Sequence, residues 1–442
     1  MRTNTKHASL TTHEGARALH IGVLAQLRRS VLSCFLWESE FYEDGIEIGK
    51  RIADLTAQCA PEDVAALAIE AREQMHLRHV PLLLLRELAR HPVIKNRPKL
   101  LSTTMGRVLQ RADEPAEFLA LYWKEKKQPL SKQVKRGLAW SLRRFSEYDL
   151  AKYNRDAAVT PRDVLFMTHA KPKDEAQAAL WKKLAADELA TPDTWEVQLS
   201  AGADKKETFE RLIREKKLGY FALIRNLRNM VRAGVEVQLV REAILARKGG
   251  ADKILPFRYI AAARHAKQFE PELDTAMQAA LSELPKLPGT TIVLVDNSGS
   301  MSALLSRTSD MTRSDAAAGV AIVARGVCES VRVFVFSDNC VEVAPRTGMA
   351  LRDAIHTATR KGSTQLGAAV KTVSDLSHDR LIVITDEQSA DRVPEPKGLG
   401  YMINVASNRH GVGYGKWLHV DGWSDAVVRF ITEHERMDSA SE

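Results

Sequence analysis

The stretch that decides the fold is TIVLVDNSGS, residues 291–300, in which five β-branched or apolar residues run directly into a polar loop. A continuous apolar run of this length is typical of a strand buried on both faces of a sheet. Similar runs follow at residues 331–336, 381–385, 402–405 and 418–420. Helical segments are predicted at residues 314–329, 366–377 and 424–433. Buried strands that alternate with helices predict a parallel, doubly wound α/β sheet.

The loop after the first strand carries an alternating set of oxygen donors, Asp296, Ser298 and Ser300. Thr364 lies in a loop before a predicted helix, and Asp386 directly follows the strand at 381–385. In doubly wound sheets, ligands bind beyond the carboxyl ends of the strands. Carboxylates and hydroxyls are hard donors that suit octahedral Mg²⁺, which keeps waters and accepts an outside ligand. We therefore expect Mg²⁺, or another divalent cation, at this edge.

Other interpretations of these residues are weaker. A haloacid-dehalogenase-type phosphotransferase with Asp296 as nucleophile would need a second carboxylate where Ser298 stands. The sequence contains neither a G-x-S-x-G motif nor a P-loop. A helix-capping role for Asp296 and Ser298 remains open, but it leaves Thr364 and Asp386 without a function.

The same five residues resemble the metal-ion-dependent adhesion site of von Willebrand factor type A domains. The resemblance implies that Ser298, Ser300 and Thr364 bind the metal through their hydroxyls. It also implies that Asp296 and Asp386 act directly or through water, and that an acidic group of a partner completes the coordination.

The sequence before residue 286 has a different, helical character. Short amphipathic segments follow one another with few strand signals, which favours a helical-repeat array over one compact bundle. Asp113, Ser131 and Thr160 are predicted to cap helix starts, and Gly234 is predicted to end a helix. We therefore predict two domains, a helical-repeat domain at residues 1–285 and the α/β domain at residues 286–442.

The net charge of +8 is unevenly distributed between the two predicted domains. Residues 1–285 carry 47 lysines and arginines against 37 aspartates and glutamates, whereas residues 286–442 carry 17 against 19. This asymmetry is typical of a first domain that meets a polyanion. A solvated helical surface explains the charge equally well.

The helix that begins after Ser131 has one cationic stripe and one apolar stripe. At about 100° per residue, Lys132, Lys135, Arg136 and Arg143 fall on the first. The second contains Val134, Leu138, Leu142 and Phe145. Further candidate RNA-binding residues follow at Lys152, Arg155, His169 and Lys171. Such a row of cations is sufficient for phosphate contacts, although a face that is only solvated is the alternative.

Four segments carry a resemblance to a known family. They are FLWESEFYEDG at 35–45, LAKY at 150–153, THAKP at 168–172 and LIRNLRNM at 223–230. They resemble the TROVE module of the Ro autoantigen family, in which a von Willebrand A domain follows. The resemblance implies a ring of HEAT-like helical pairs that is closed by the A domain. It implies that small Y-type noncoding RNA binds the outer basic surface and that single-stranded ends of misfolded RNA enter a central hole. Lys152 and His169 match RNA-contacting positions, and Arg136 lies in the matching basic helix.

We therefore predict a cytoplasmic RNA-binding scaffold that is not an enzyme and that acts in noncoding RNA quality control or maturation. A protein such as an exoribonuclease is expected to dock on the A domain through an acidic residue, and no membrane is involved. The alternative is a metal-dependent protein-docking module that does not bind RNA. A third reading, a metal-assisted hydrolase, would use Glu387 as its base.

Overall fold

The structure, a computed structural model, describes residues 10–18, 22–32, 45–75, 77–154, 157–248, 251, 254, 256–284, 286–305, 310–406, 408, 410–422, 431 and 435. Contacts divide the chain into two compact units. The first unit combines Met1–Ile48 with Ile213–Glu442, and the second is Gly49–Leu212. Within the described ranges, no helix is long and apolar enough to cross a membrane.

The α-helices and strands have the following bounds. The helices are α1 (Val23–Leu32), α2 (Gly45–Gln58), α3 (Pro61–Glu73), α4 (His79–Arg90), α5 (Leu100–Val108), α6 (Glu114–Tyr122), α7 (Lys132–Leu142), α8 (Glu147–Tyr153), α9 (Pro161–Thr168), α10 (Glu175–Ala186), α11 (Trp195–Ser200), α12 (Lys205–Arg214), α13 (Tyr220–Ala233), α14 (Val237–Ala246), α15 (Pro256–His265), α16 (Glu270–Ser282), α17 (Arg313–Val327), α18 (Gly348–Ala358) and α19 (Leu366–Ser374). The strands are β1 (Leu287–Asp296), β2 (Cys328–Phe336), β3 (Cys340–Glu342), β4 (Arg380–Thr385), β5 (Leu399–Asn404) and β6 (Leu418–Asp421).

The second unit is a layered array of helices. Helices α3, α5, α7 and α9 each pack against the next member of that row, and α4 packs against α6. Neighbouring rows meet where α3 contacts α4 and α6 contacts α7. This pairwise stacking is the arrangement of helical repeats. The predicted helix-rich N-terminal part is confirmed.

Most of the predicted helix ends are confirmed, and one is wrong. The Ser131 hydroxyl accepts a hydrogen bond from a backbone N–H at the start of α7, and Thr160 forms a capping box at the start of α9. Gly234 ends α13 with a φ of +68°. Asp113 makes no capping hydrogen bond at the start of α6. Its carboxylate accepts instead from Nη2 of Arg78 at 2.7 Å and from Nε and Nη2 of Arg111, both at 3.1 Å.

Two glycines set the close approach of α5 and α7. A Cβ atom on Gly106 of α5 would lie 2.7 Å from Cε3 of Trp140 on α7. A Cβ atom on Gly137 of α7 would lie 2.6 Å from Sδ and 2.8 Å from Cβ of Met105 on α5. Each helix therefore receives a side chain of the other in the space that a glycine leaves.

The first unit contains a six-stranded sheet in the order β3-β2-β1-β4-β5-β6. All neighbouring strands are parallel except β2 and β3, which are antiparallel. Ile292 and Leu294 of β1 pack into the core with α19. Val293 and Val295 face the opposite side of the sheet, where the buried helix α17 packs. The predicted doubly wound α/β sheet is confirmed.

Some elements of the first unit were not predicted from the sequence. Strand β3 is a three-residue edge strand, and α18 was not recognised as a helix. The helix predicted at residues 424–433 lies outside the described residues. Helices α15 and α16 pack against α17, and α16 also packs against α18. The domain boundary between residues 285 and 286 stays a prediction.

We expect Gly137→Ala to destabilise the protein. Alanine in a helix interior is ordinarily more stable than glycine by about 1 kcal/mol. Here the added Cβ atom meets the fixed Cβ of Met105, so we expect a loss of about 1–3 kcal/mol instead. Urea unfolding followed by circular dichroism measures the change. The control is Gly219→Ala, because a Cβ atom there would have no atom within 4 Å beyond its own chain neighbours. Equal midpoints for the two variants would contradict the role given to Gly137.

Candidate nucleic-acid interface and metal centre

The predicted cationic stripe of α7 lies on the protein surface. Lys132, Arg136 and Arg143 are exposed, and Lys135 is half-buried. The apolar stripe is buried, as its four members have exposed fractions of 5% or less. The sequence therefore located this face correctly, and we call Lys132, Lys135, Arg136 and Arg143 the α7 basic face.

The positive charge of the α7 basic face is not neutralised by the described parts of the protein. Neither α5 nor α7 contains an aspartate or a glutamate. No described carboxylate lies within 4 Å of Lys132, Lys135 or Arg136. Arg143 instead donates from Nε and Nη2 to the Lys171 carbonyl, at 3.1 and 2.9 Å.

The other arginines of this unit are mostly paired with acids. Arg72 lies 2.8 Å from a Glu114 oxygen. Further pairs join Arg78 to Asp113 and Glu117, Arg86 to Glu87, Arg90 to Glu125, Arg97 to Glu62, Arg107 to Glu73, and Arg211 to Asp193. An ion pair has almost no field at a distance, so these paired arginines add little to the attraction for anions.

The remaining predicted RNA-binding residues have different surroundings. Lys152 lies 3.6 Å from a Glu196 carboxylate oxygen, so part of its charge is compensated. His169 is exposed and ends α9 in a left-handed conformation, with a φ of +49°. Lys171 is exposed and is joined to Arg143 through its backbone carbonyl. Arg155 lies outside the described residues.

Sequence reasoning missed two residues beside the α7 basic face, Trp140 and Lys99. The Trp140 side chain is 51% exposed. A signal for it was present, since about 100° per residue places Trp140 near 80° from Lys132, next to the Arg136 edge of the cationic stripe. Lys99 precedes α5 in a left-handed conformation and reaches this face only through packing of α5 on α7. No local pattern could have identified it.

The predicted metal ligands come together at the carboxyl edge of the sheet. Asp296, Ser298, Ser300, Thr364 and Asp386 are all buried, with exposed fractions of 4% or less. The backbone N–H of Gly299 donates to the carbonyl of Gly362 at 2.9 Å, which joins the first loop to the loop that carries Thr364. The Thr385 hydroxyl donates to Oδ2 of Asp296 at 2.6 Å, which joins the same loop to β4.

The geometry of these donors suits a divalent cation. Oγ of Ser298 and Oγ of Ser300 are 3.3 Å apart. Adjacent ligands of an octahedral Mg²⁺ ion, each about 2.1 Å from the metal, lie roughly 3.0 Å apart. Among the described residues, no group of three His, Cys, Asp or Glu side chains has an arrangement that could hold a metal ion by itself, so a metal here would depend on the hydroxyls. The donor set therefore fits the predicted ion.

Two buried carboxylates, those of Asp296 and Asp386, favour the presence of positive charge at this edge of the sheet. Burial, and then the negative charge of Asp386, raise the pKa of Asp296 to about 7. Arg313, also buried, donates from Nη1 to Oδ2 of Asp386 at 3.1 Å. Lys361 donates to Oδ1 of Asn297, and burial lowers the pKa of this lysine. A cation at the oxygen donors would complete the neutralisation that these two side chains begin.

The capping interpretation of Asp296 and Ser298 finds no support in the geometry. Ser298 precedes a short 3-10 turn, and its side chain makes no capping hydrogen bond there. Oδ1 of Asp296 accepts from the Ser298 backbone N–H at 2.8 Å, and its other oxygen accepts from Thr385. The aspartate therefore organises the loop and not a helix start.

Glu387, the base of the hydrolase reading, is fully occupied by other partners. Its Oε1 lies 2.5 Å from Nη1 of Arg29 and 2.5 Å from Nε2 of His419, and its Oε2 accepts from the Gly413 backbone N–H at 2.6 Å. Burial alone would raise the pKa of Glu387, but the positive charges of Arg29 and His419 hold it far below its usual range. A general base needs a pKa near the working pH. Glu387 is therefore unsuited to act as the general base that the hydrolase alternative requires.

The described N-terminal residues lie at the same sheet edge. The Thr12 hydroxyl donates to the Ser389 carbonyl at 2.7 Å. The Ser363 hydroxyl donates to Oε2 of Glu14 at 3.3 Å, which brings a carboxylate beside the residue that precedes Thr364. A segment from the start of the chain therefore borders the candidate metal centre.

Comparisons with known proteins agree with this architecture. A TROVE domain model matches residues 185–286, and a von Willebrand factor type A domain model matches residues 291–388. The TROVE match thus precedes the von Willebrand factor type A match along the chain. This is the domain order predicted from the resemblance to the Ro family, and that order is confirmed. The α7 basic face lies before the segment that the TROVE model matches.

A solved structure is similar over nearly the whole chain. The crystal structure of the Ro (RSR) protein of Deinococcus radiodurans has a TM-score of 0.61 and 17% sequence identity. The similarity covers 94% of this chain and 99% of that chain. At this level of identity, the similarity establishes a shared fold.

We expect Arg29→Met to destabilise the von Willebrand A domain by about 3–5 kcal/mol, because the variant leaves Glu387 buried without its main partner. The lowered pKa of Glu387 means that its pairing stabilises the protein above the usual pKa of a glutamate and is lost as the pH falls. The difference from wild type should therefore be largest near neutral pH and should shrink as the pH falls and Glu387 of the folded variant takes up a proton. Chemical unfolding at several pH values measures it.

The matched control for this change is the double variant Arg29→Met with Glu387→Gln. It removes the unpaired charge, so it should recover part of the lost stability. A double variant less stable than Arg29→Met would show that the ion pair is not the source of the effect.

Proposed function

We propose that this protein is an RNA-binding scaffold that binds a small structured noncoding RNA of the Y type through the α7 basic face. The observation that carries the proposal is the uncompensated charge of that face in a unit whose other arginines are mostly paired with acids. Phosphate contacts require little more than lysines and arginines at the surface. The Ro-like fold and domain order support RNA as the polyanion.

Residues beyond α7 extend this interface. Lys171 continues the basic face through its contact with Arg143, and the exposed ring of His169 supplies a hydrogen bond or a stacking surface. Lys152 contributes less than the α7 residues, since Glu196 compensates part of its charge. Noncoding RNA quality control, with capture of the single-stranded ends of misfolded RNA, is the role that we infer.

The von Willebrand A domain supplies the second half of the proposal. Asp296, Ser298, Ser300, Thr364 and Asp386 would hold Mg²⁺, which supplies an open coordination position for an outside carboxylate. A protein partner such as an exoribonuclease would dock there through an acidic residue. The chain itself acts as a scaffold and not as an enzyme, a view supported by the full occupation of Glu387.

The RNA proposal predicts a change in salt dependence. Replacing Lys132, Lys135 and Arg136 by alanine should weaken binding of a small structured RNA and lower the slope of log K against log salt by roughly 2–3, or about one per phosphate contact. Fluorescence anisotropy at several salt concentrations measures both quantities. The control is the triple change Arg97→Ala, Arg107→Ala and Arg211→Ala, since these charges are already compensated by Glu62, Glu73 and Asp193.

An equal loss in the test and control variants would indicate that only net charge matters and would refute a localised interface. Wild-type protein that fails to bind RNA at low salt would refute the proposed function and leave the protein-docking alternative.

The metal proposal predicts that Asp296→Asn abolishes Mn²⁺ binding, measured by electron paramagnetic resonance with Mn²⁺ as the probe for Mg²⁺. The variant should fold, because burial and Asp386 already disfavour the charged form of Asp296. RNA affinity should stay within about twofold of wild type, since the α7 basic face lies in the other unit. The control is Asp375→Asn, an exposed aspartate of the first unit. If Asp296→Asn still bound Mn²⁺, the proposed metal site at Asp296 would be refuted.

A further inference from the structure

A cavity of about 470 Å³ lies between α5 and α7, next to the α7 basic face. Its lining includes Lys99 and Thr103 from α5 and its cap, and Arg136, Trp140 and Arg143 from α7 and its cap. The volume lies within the range of roughly 300–1,000 Å³ that is typical of small-ligand sites. No acidic residue lines the cavity.

The cavity combines an aromatic surface with cations. The Trp140 indole is 51% exposed, an unusual position for the largest apolar side chain. Two arginines and a lysine surround it, and they repel cations and attract anions. A ligand that suits both features has a flat ring attached to a negatively charged group. A nucleotide unit has this combination, with a base for the indole and a phosphate for the cations.

Part of the cavity wall is held in place by contacts within the protein. The Trp140 ring rests on Gly106, where no side chain intervenes. Arg144 donates to the carbonyls of Gly106 and Leu109, which ties the end of α7 to α5. Arg143 is held by two hydrogen bonds to the Lys171 carbonyl. A site whose side chains are already ordered loses less entropy on binding.

We propose that this cavity is a binding site for one unpaired nucleotide of RNA, with its base stacked on Trp140 and its phosphate held by Arg136, Arg143 and Lys99. The inference rests on the proposed RNA-binding function and adds a preference within it. A base inside a duplex is stacked on its neighbours and cannot reach the indole, so the site selects a loop, a bulge or a strand end.

The test compares Trp140→Leu and Trp140→Phe on two probes, a 12-nucleotide single-stranded RNA and a blunt 12-base-pair RNA duplex. Trp140→Leu should weaken single-strand binding by roughly 5- to 150-fold, the usual effect of removing one stacking partner. Its salt slope should equal that of wild type, because no charge is removed. Duplex affinity should be unchanged, and Trp140→Phe should retain most of the single-strand affinity.

Arg136→Ala is the matched change of charge, and it should lower the salt slope for the single strand by about one. Single-stranded DNA of the same sequence should bind with an affinity similar to that of the RNA, since the proposed contacts involve only the base and the phosphate. A polyglutamate peptide should bind Trp140→Leu and wild type equally, because it has no ring to stack.

Three results would overturn the inference. The first is single-strand affinity that is unchanged in Trp140→Leu while wild type binds RNA in a salt-dependent manner; the proposed function would then stand without this site. The second is an equal loss for the duplex, which would show that the substitution acts through the packing of α5 on α7. The third is a loss of polyglutamate binding, which would assign the cavity to acidic peptides. Wild type that binds neither RNA refutes the proposed function itself.

Discussion

The contact between α5 and α7 depends on the absence of two side chains. Gly106 and Gly137 let each helix accept a side chain of the other, and Arg144 ties the end of α7 to the carbonyl of Gly106. The indole of Trp140 consequently has one side against a helix and the other in solvent. The position of every cation on the α7 basic face follows from this packing, because the buried stripe of the same helix fixes its rotation. Any side chain at either glycine position would push the two helices, and with them the two walls of the cavity, apart.

Charge in the helical unit is organised by pairing as much as by composition. Surface ion pairs contribute little to stability, commonly about 0–1 kcal/mol each. Their effect on the electric field is larger, since a paired arginine attracts anions only at short range. The overall excess of lysines and arginines over acidic residues therefore does not predict where an anion binds. The absence of acids on α5 and α7 is more informative, because it leaves the cations of the α7 basic face without a carboxylate partner on either helix.

The sequence predicted the elements whose patterns are local. Buried strands, the D-x-S-x-S loop and the capping role of Ser131 were all recognisable, since each depends on residues that are close in the chain. The edge strand β3 is too short to show an alternating pattern. The pairing of Lys152 with Glu196 and the approach of Lys99 to α7 depend on packing between helices, which no periodicity reveals. Arg29 and Glu387 are 358 positions apart, and no local sequence pattern in either segment predicts that they form a pair.

That separation affects how the molecule is made. The unit that contains the sheet is assembled from both ends of the chain, with the whole of Gly49–Leu212 between its parts. A ribosome adds about 5–20 residues per second, so roughly 20–70 s pass between the emergence of Arg29 and that of its carboxylate. During this interval the intervening helices are complete and free to fold, whereas the first helix has no place to dock. The order of synthesis thus favours early formation of the helical unit and late closure of the sheet unit.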